Sequence, residues 1–244
     1  MKVGVLTDIH LGSYEEKDEQ LDQFADSIQG ECEVLVLSGD LASTDPLETE
    51  RCLKILRRRN PFLPILFVPG NHDFWSTNWD FRTITDILEF HKKICKENKI
   101  HHLENDGEFV LNDVSFMGYM GWYASLNNDT KDYGLIPKSN PYGADTFSYM
   151  KKLEGDALDK MAATEITAPK KVCVTHFNLF PDGGYENLSG NPRFFELFLK
   201  DKFDVLIMGH SHVAMDEVKD GCRVINAGAD YKESPEHHFK IIEI

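Results

Sequence analysis

The sequence predicts an α/β fold, and two observations carry that prediction. Short apolar runs recur along the chain with helix-periodic segments between them, and polar residues gather directly behind those runs. At 244 residues the chain suits one large domain over residues 1–244 with a substantial core.

Residues 1–7 form the first strand, and Leu21, Phe24, Ala25 and Ile28 follow at helical spacing before Gly30 stops the helix. The run EVLVLS at 33–38 is a second, buried strand. Asp45 reads as an N-cap, Pro46 as a first-turn proline and Glu48 as a capping-box partner for a helix to about residue 59. Residues 65–68 supply a third strand. Ile84, Ile87, Leu88, His91 and Cys95 share one face of the next helix, with His91 at its rim rather than a ligand. Residues 109–110 and 114–119, joined by a turn at Asn112 and Asp113, predict a hairpin at which the sheet becomes mixed. The Asn-, Asp-, Gly- and Pro-rich stretch 126–146 reads as a long loop with a helix after it. Strands are predicted at 171–174, 205–208, 223–226 and 239–244, with Asn191 and Pro192 capping a short helix between the first two.

The composition, 41% hydrophobic and 27% charged, is that of a soluble globular protein. No stretch reaches the roughly 18 apolar residues of a membrane span, and MKVGVLTDIH turns polar too soon for a signal peptide, so a cytoplasmic protein is expected. A formal charge of −15 disfavours broad binding to nucleic acid or an anionic membrane, both of which need a basic face. The five cysteines are widely spaced within apolar patterns, which suits reduced, packed thiols.

Five histidines stand just behind strand-like runs: His10, His72, His176, His210 and His212, accompanied by Asp8, Asp40, Asn71 and Asp73. In open α/β sheets such loops converge at the carboxyl ends of the strands, so these residues are expected to share one site. GNHD at 70–73 places three polar side chains after a glycine turn, which packing does not explain. GHSH at 209–212 can present two imidazoles to adjacent metal centres. Carboxylate, imidazole and amide oxygen without thiolate suit Mn, Fe, Zn or Ni.

The ordered set DxH, GD, GNHD, TH and GHxH resembles the calcineurin-like metallophosphoesterase superfamily, here Asp8 and His10, Asp40, Gly70 to Asp73, His176, and Gly209 to His212. The resemblance implies a four-layer fold, two mixed sheets packed as a sandwich and flanked by helices. It implies two divalent ions, one held by Asp8, His10 and His212, the other by Asn71, His176 and His210, with Asp40 bridging. Such a pair, about 3.5–4 Å apart, activates a water to attack the phosphate ester as hydroxide. His72 is implied to protonate the leaving oxygen, and Asp73 to fix the His72 imidazole.

Arg before GNHE marks protein phosphatases of the superfamily, whereas Pro69 and Asp73 occupy those positions here. Residues 102–124 resemble the equivalent hairpin of small bacterial members, several of which cleave small phosphodiesters. A small phosphodiester is therefore the expected substrate, ahead of a broad phosphomonoesterase or protein phosphatase, a nuclease, and a noncatalytic scaffold of the same fold. Trp122, Tyr123 and Asn178 are candidates for contact with its organic group, and Trp75 and Trp79 for supporting the His72 loop. His101, His102, His237 and His238 fall outside the motifs. The oligomeric state has no signature in the sequence.

Overall fold

The computed structural model describes residues 1–13, 16–76, 80–121, 146–179, 194, 202–230 and 233–244. The first part of the chain forms β1 (Lys2–Leu6), α1 (Lys17–Ser27), β2 (Val34–Leu37), α2 (Pro46–Arg59), β3 (Ile65–Phe67), α3 (Ile84–Glu97) and β4 (His101–His102). The second forms α4 (Leu103–Asp106), β5 (Phe109–Leu111), β6 (Val114–Gly118), α5 (Thr146–Ala163), β7 (Lys170–Val174), β8 (Val205–Met208), β9 (Met215–Lys219), β10 (Cys222–Asn226) and β11 (Phe239–Glu243).

Two mixed sheets result, in the orders β11-β1-β2-β3-β4 and β5-β6-β7-β8-β10-β9. Strands β1 to β4 run parallel, and β11 closes antiparallel on β1. In the second sheet β6, β7, β8 and β10 are parallel, edged by antiparallel β5 and β9.

Alternation along the strands builds the layers. Val3, Val5, Val34, Val36 and Leu66 of the first sheet meet Phe116, Val172, Val174, Ile207 and Ile225 of the second in one apolar layer. The opposite faces, Leu6, Leu35, Leu37 and Phe67, pack with Leu21, Phe24, Leu53 and Ile94 from the helices. Cys173, Leu206, Met208 and Val224 pack with Ala157 and Met161 of α5. Strands buried on both faces read as continuous apolar runs, which is what makes them legible in sequence. All five cysteines are free and buried.

The helix ends follow their sequence, with one correction. Thr83 and Asp86 form a reciprocal capping box on α3. At α2 the Asp45 side chain accepts from Leu47 N at 3.0 Å, but Glu48 turns outward from the box and accepts from Ser43 and Thr44 instead. Strand β9 has no counterpart among the predicted strands, because only its edge position and hairpin to β10 define it: its residues are mostly exposed. The Asp220–Gly221 turn, both residues at positive φ, is its available signal. The predicted cap at Asn191 and Pro192 lies outside the described residues.

Candidate metal centre

The parallel strands β1, β2, β3, β7 and β8 end on the same side of the sandwich, and their exits carry all the predicted ligands. The backbone turns sharply there. Asp8, His10, Asp40, His210 and His212 have φ of 54°, 49°, 53°, 66° and 53°. Left-handed conformations at residues other than glycine cost of order 1–3 kcal/mol and persist where surrounding structure enforces them. Close approach is enforced too: a Cβ on Gly70 would lie 2.2 Å from Asp40 Oδ1, and one on Gly209 2.2 Å from Thr7 Oγ1.

The side chains form overlapping groups. Asp8, His10 and His212 converge, with His10 Nε2 3.3 Å from His212 Nε2 and His212 Nε2 3.6 Å from Asp8 Oδ1. Asp40, His176 and His210 converge as well, and Asn71 Oδ1 stands 3.0 Å from His176 Nε2 and 3.2 Å from His210 Nδ1. Asp40 Oδ2 lies between the groups, 3.8 Å from His10 Nε2 and 3.3 Å from His176 Nε2. Ligand bonds of about 2.0–2.2 Å put donor atoms about 3 Å or more apart around one ion, so this donor set fits divalent metal.

Main-chain carbonyls fix the rings. His176 Nδ1 donates to Ser38 O and His212 Nδ1 to Ala229 O, each at 2.8 Å, which leaves both Nε2 atoms directed into the site. Thr7 Oγ1 and His210 N donate to Asp8 at 2.7 and 2.9 Å. Asn226 donates to Gly209 O and Ser211 Oγ, both at 2.9 Å, and so braces the GHSH loop. Sequence reasoning missed Ser38, Ala229 and Asn226, the first two because they act through carbonyls.

Burial and like charge set the electrostatics. Burial lowers His10 well below its usual range and, with His176 nearby, takes His210 to about 3. Burial would lower His176 also, but Asp40 and Asp8 outweigh it and hold it at about 9. Burial opposes ionisation of Asp40, yet His176, His72 and His10 keep it well below the usual carboxylate range, whereas burial leaves Asp8 raised. An ionised Asp40 thus faces a protonated His176 beside neutral His10 and His210, and a divalent cation would take the place of the His176 proton.

His72 Nε2 stands 4.0 Å from Asp40 Oδ2, at the edge of the donor set. The expected role of Asp73 is corrected: His72 Nδ1 bonds Ser43 O at 2.8 Å, and Asp73 faces elsewhere. Asp73 accepts from the backbone N–H groups of Asp40, Leu41, Ala42 and Gly70 at 2.8–3.1 Å and from Thr49 Oγ1 at 2.7 Å. It is a loop tie, fully buried, with burial and Asp40 pushing it up to about 6. Trp75 lies over the His72 ring at 3.5 Å between centroids.

The rim assignment of His91 is also corrected. It is fully buried and packed against Phe67 and Phe74, close to the Asp73 backbone. Asn178 is buried two residues beyond His176, and Trp79, Trp122, Tyr123, residues 126–145 and residues 180–191 lie outside the described residues. His101, His102, His237 and His238 join no metal-holding group among the described residues.

Fold and site together define a metal-dependent phosphoesterase, a hydrolase of ester bonds. The chain belongs to the calcineurin-like phosphoesterase family, whose model matches residues 1–214. Protein L509 of Acanthamoeba polyphaga mimivirus is 25% identical over 211 residues, spanning 77% of this chain and 74% of that one. Among solved structures, phosphopantetheinyl hydrolase PptH from Mycobacterium tuberculosis is similar with a TM-score of 0.77 at 17% identity, covering 99% of this chain and 95% of its own. A Thermus thermophilus protein, TT1561, is similar with a TM-score of 0.56 at 14% identity, covering 93% and 89%. At these identities the structural likeness is one of fold. Among the described residues, no helix is long and apolar enough to cross a membrane.

Proposed function

We propose that this chain, acting as a single domain, holds two divalent ions and hydrolyses a small phosphodiester. The observation that carries the reading is the position of Asp40 Oδ2, within 3.8 Å of His10 in one ligand group and 3.3 Å of His176 in the other. In this reading Asp8, His10 and His212 serve one ion, Asn71, His176 and His210 the second, and Asp40 both. Mn, Fe, Zn or Ni suits those donors. Such ions supply Lewis acidity that acidifies water and screens phosphate charge. His72, with both ring nitrogens protonated, supplies the proton to the leaving oxygen from Nε2, and its Nδ1–H bond to Ser43 O keeps that nitrogen facing the site.

A small ester fits better than a phosphoprotein or a nucleic acid. Pro69 precedes the GNHD loop where Arg marks protein phosphatases, and the formal charge of −15 opposes a long polyanion. The neighbour PptH, named a phosphopantetheinyl hydrolase, is consistent with an organic phosphate substrate. Five free, buried cysteines suit the reducing cytoplasm, where we place the protein.

The test is a substrate panel with purified protein in Mn²⁺, comparing cyclic and linear phosphodiesters, phosphomonoesters, a phosphopeptide and single-stranded DNA. Turnover of the small diesters well above the rest is expected. Inert diesters alongside a hydrolysed phosphopeptide would refute the substrate class, and no metal-stimulated turnover at all would make the chain a scaffold.

A further inference from the structure

The loop that orients His72 is itself held from α2. One oxygen of Glu48, Oε2, accepts the N–H of Ser43 at 2.6 Å and of Thr44 at 3.2 Å. The N–H of Thr44 and the carbonyl of Ser43 belong to one planar trans peptide unit and point in opposite directions. Glu48 therefore grips one edge of the peptide plane whose other edge accepts His72 Nδ1–H at 2.8 Å. A carboxylate on the N–H edge also polarises the carbonyl and strengthens it as an acceptor.

The neighbouring residue extends the grip. Thr49 Oγ1 bonds Asp73, which takes the N–H groups of Asp40, Leu41 and Ala42, so residues 40–44 are held by one carboxylate at each end. Room for Glu48 is provided by Gly12, two residues beyond His10. A Cβ there would lie 1.7 Å from Glu48 Oε1, and Gly12 is not at positive φ, so an added side chain would leave the backbone unstrained and displace the Glu48 carboxylate.

We propose that Glu48 is a positioning residue for His72: it fixes the Ser43–Thr44 peptide plane, which holds the Ser43 carbonyl against Nδ1 and aims Nε2 toward Asp40. Its catalytic consequence rests on the reading of His72 as proton donor. The bond to Ser43 is a separate, directly measurable matter.

Two readouts keep these apart. In zinc-loaded protein labelled with ¹⁵N in its histidine rings, with His72 assigned by comparison with His72→Ala and the pH raised until that ring is neutral, wild type and Glu48→Gln are expected to show one Nδ1-protonated tautomer. Gln retains an oxygen acceptor, so it rescues. Glu48→Ala and Gly12→Ala are expected to give a tautomer mixture, with metal content unchanged. In turnover, Glu48→Ala should slow alkyl diesters about 10–10²-fold, as misplacement of a reacting group does. It should slow a 4-nitrophenyl diester far less, because that leaving group needs little protonation. Gly12→Ala added to Glu48→Ala should cost little more, since both act on one interaction. A single Nδ1–H tautomer retained in Glu48→Ala overturns the proposal. If His72→Ala shows no dependence on the leaving group, the proton-donor reading fails, while the ring spectra still decide the role of Glu48.

Discussion

His72 Nδ1 lies 2.8 Å from the main-chain oxygen of Ser43, and that contact assigns the ring's protons. A carbonyl only accepts, so Nδ1 is the donor, and Nε2 is the nitrogen that, in the proposed reading, gives a proton to the leaving oxygen. Trp75 covers one face of the ring and His10 meets it edge-on at 4.4 Å between centroids, so the imidazole has little freedom to turn. Replacing His72 with Ala is expected to lower turnover by about 10²–10⁴-fold while metal per chain, measured by elemental analysis, stays as in wild type. Full turnover in that variant would remove His72 from the chemistry.

Asp40 serves a different end. Its Oδ2 lies 3.8 Å from His10 Nε2 and 3.3 Å from His176 Nε2, so in the proposed reading Asp40→Ala removes one donor from each ligand group. Metal stoichiometry in a Mn²⁺ titration is expected to fall from two per chain to one or fewer, with turnover lost. Two ions bound at wild-type affinity would mean that the groups do not share Asp40.

Asp73 is expected to matter to the fold before it matters to turnover. Its two oxygens take five donors, and an Asn there would turn an NH₂ toward at least two of them. Unsatisfied buried donors cost about 1–3 kcal/mol each. With about 2–4 °C of Tm per kcal/mol at this chain length, Asp73→Asn should melt roughly 5–15 °C lower. An unchanged melting temperature would show that the loop does not depend on the tie.

His91 and His102 carry a pH dependence remote from the ligands. Burial depresses His91 to about 3 and His102 to about 4, so both are neutral when folded, whereas the unfolded chain protonates them below its ordinary value of 6.5. The stability they contribute is complete above pH 6.5 and is lost as pH falls toward 4 and then 3. Each costs about 1.4 kcal/mol per pH unit in that window. In chelator-treated protein, His91→Leu is expected to lose about 2 kcal/mol less than wild type between pH 7 and 5, read from urea midpoints at each pH. Equal losses in the two proteins would place the acid sensitivity elsewhere.

What the sequence revealed, and what it hid, follow from how each residue acts. Asp8, His10, Asp40, Asn71, His176, His210 and His212 work through their side chains at strand exits, and both their type and their place were visible. Ser43, Ser38 and Ala229 work through carbonyls, which every residue possesses, so nothing in their letters marked them. Helical periodicity found the apolar face of α3 but could not tell its rim from its centre, and His91 sits at the centre. Glu48 has the spacing of a capping box, yet a nearer pair of amide donors claims its carboxylate.

The bracing of His212 by Ala229, and of the GHSH loop by Asn226, bears on where the working unit stops. The family match ends at residue 214, just past the last ligand. A fragment cut at that boundary would contain every candidate ligand named above and still lack β10, the neighbour that β8 pairs with, and β11, the neighbour of β1. Two strands that deliver ligands would each lose one flank. The stretch recognisable by similarity therefore leaves out strands and contacts that flank the ligand loops.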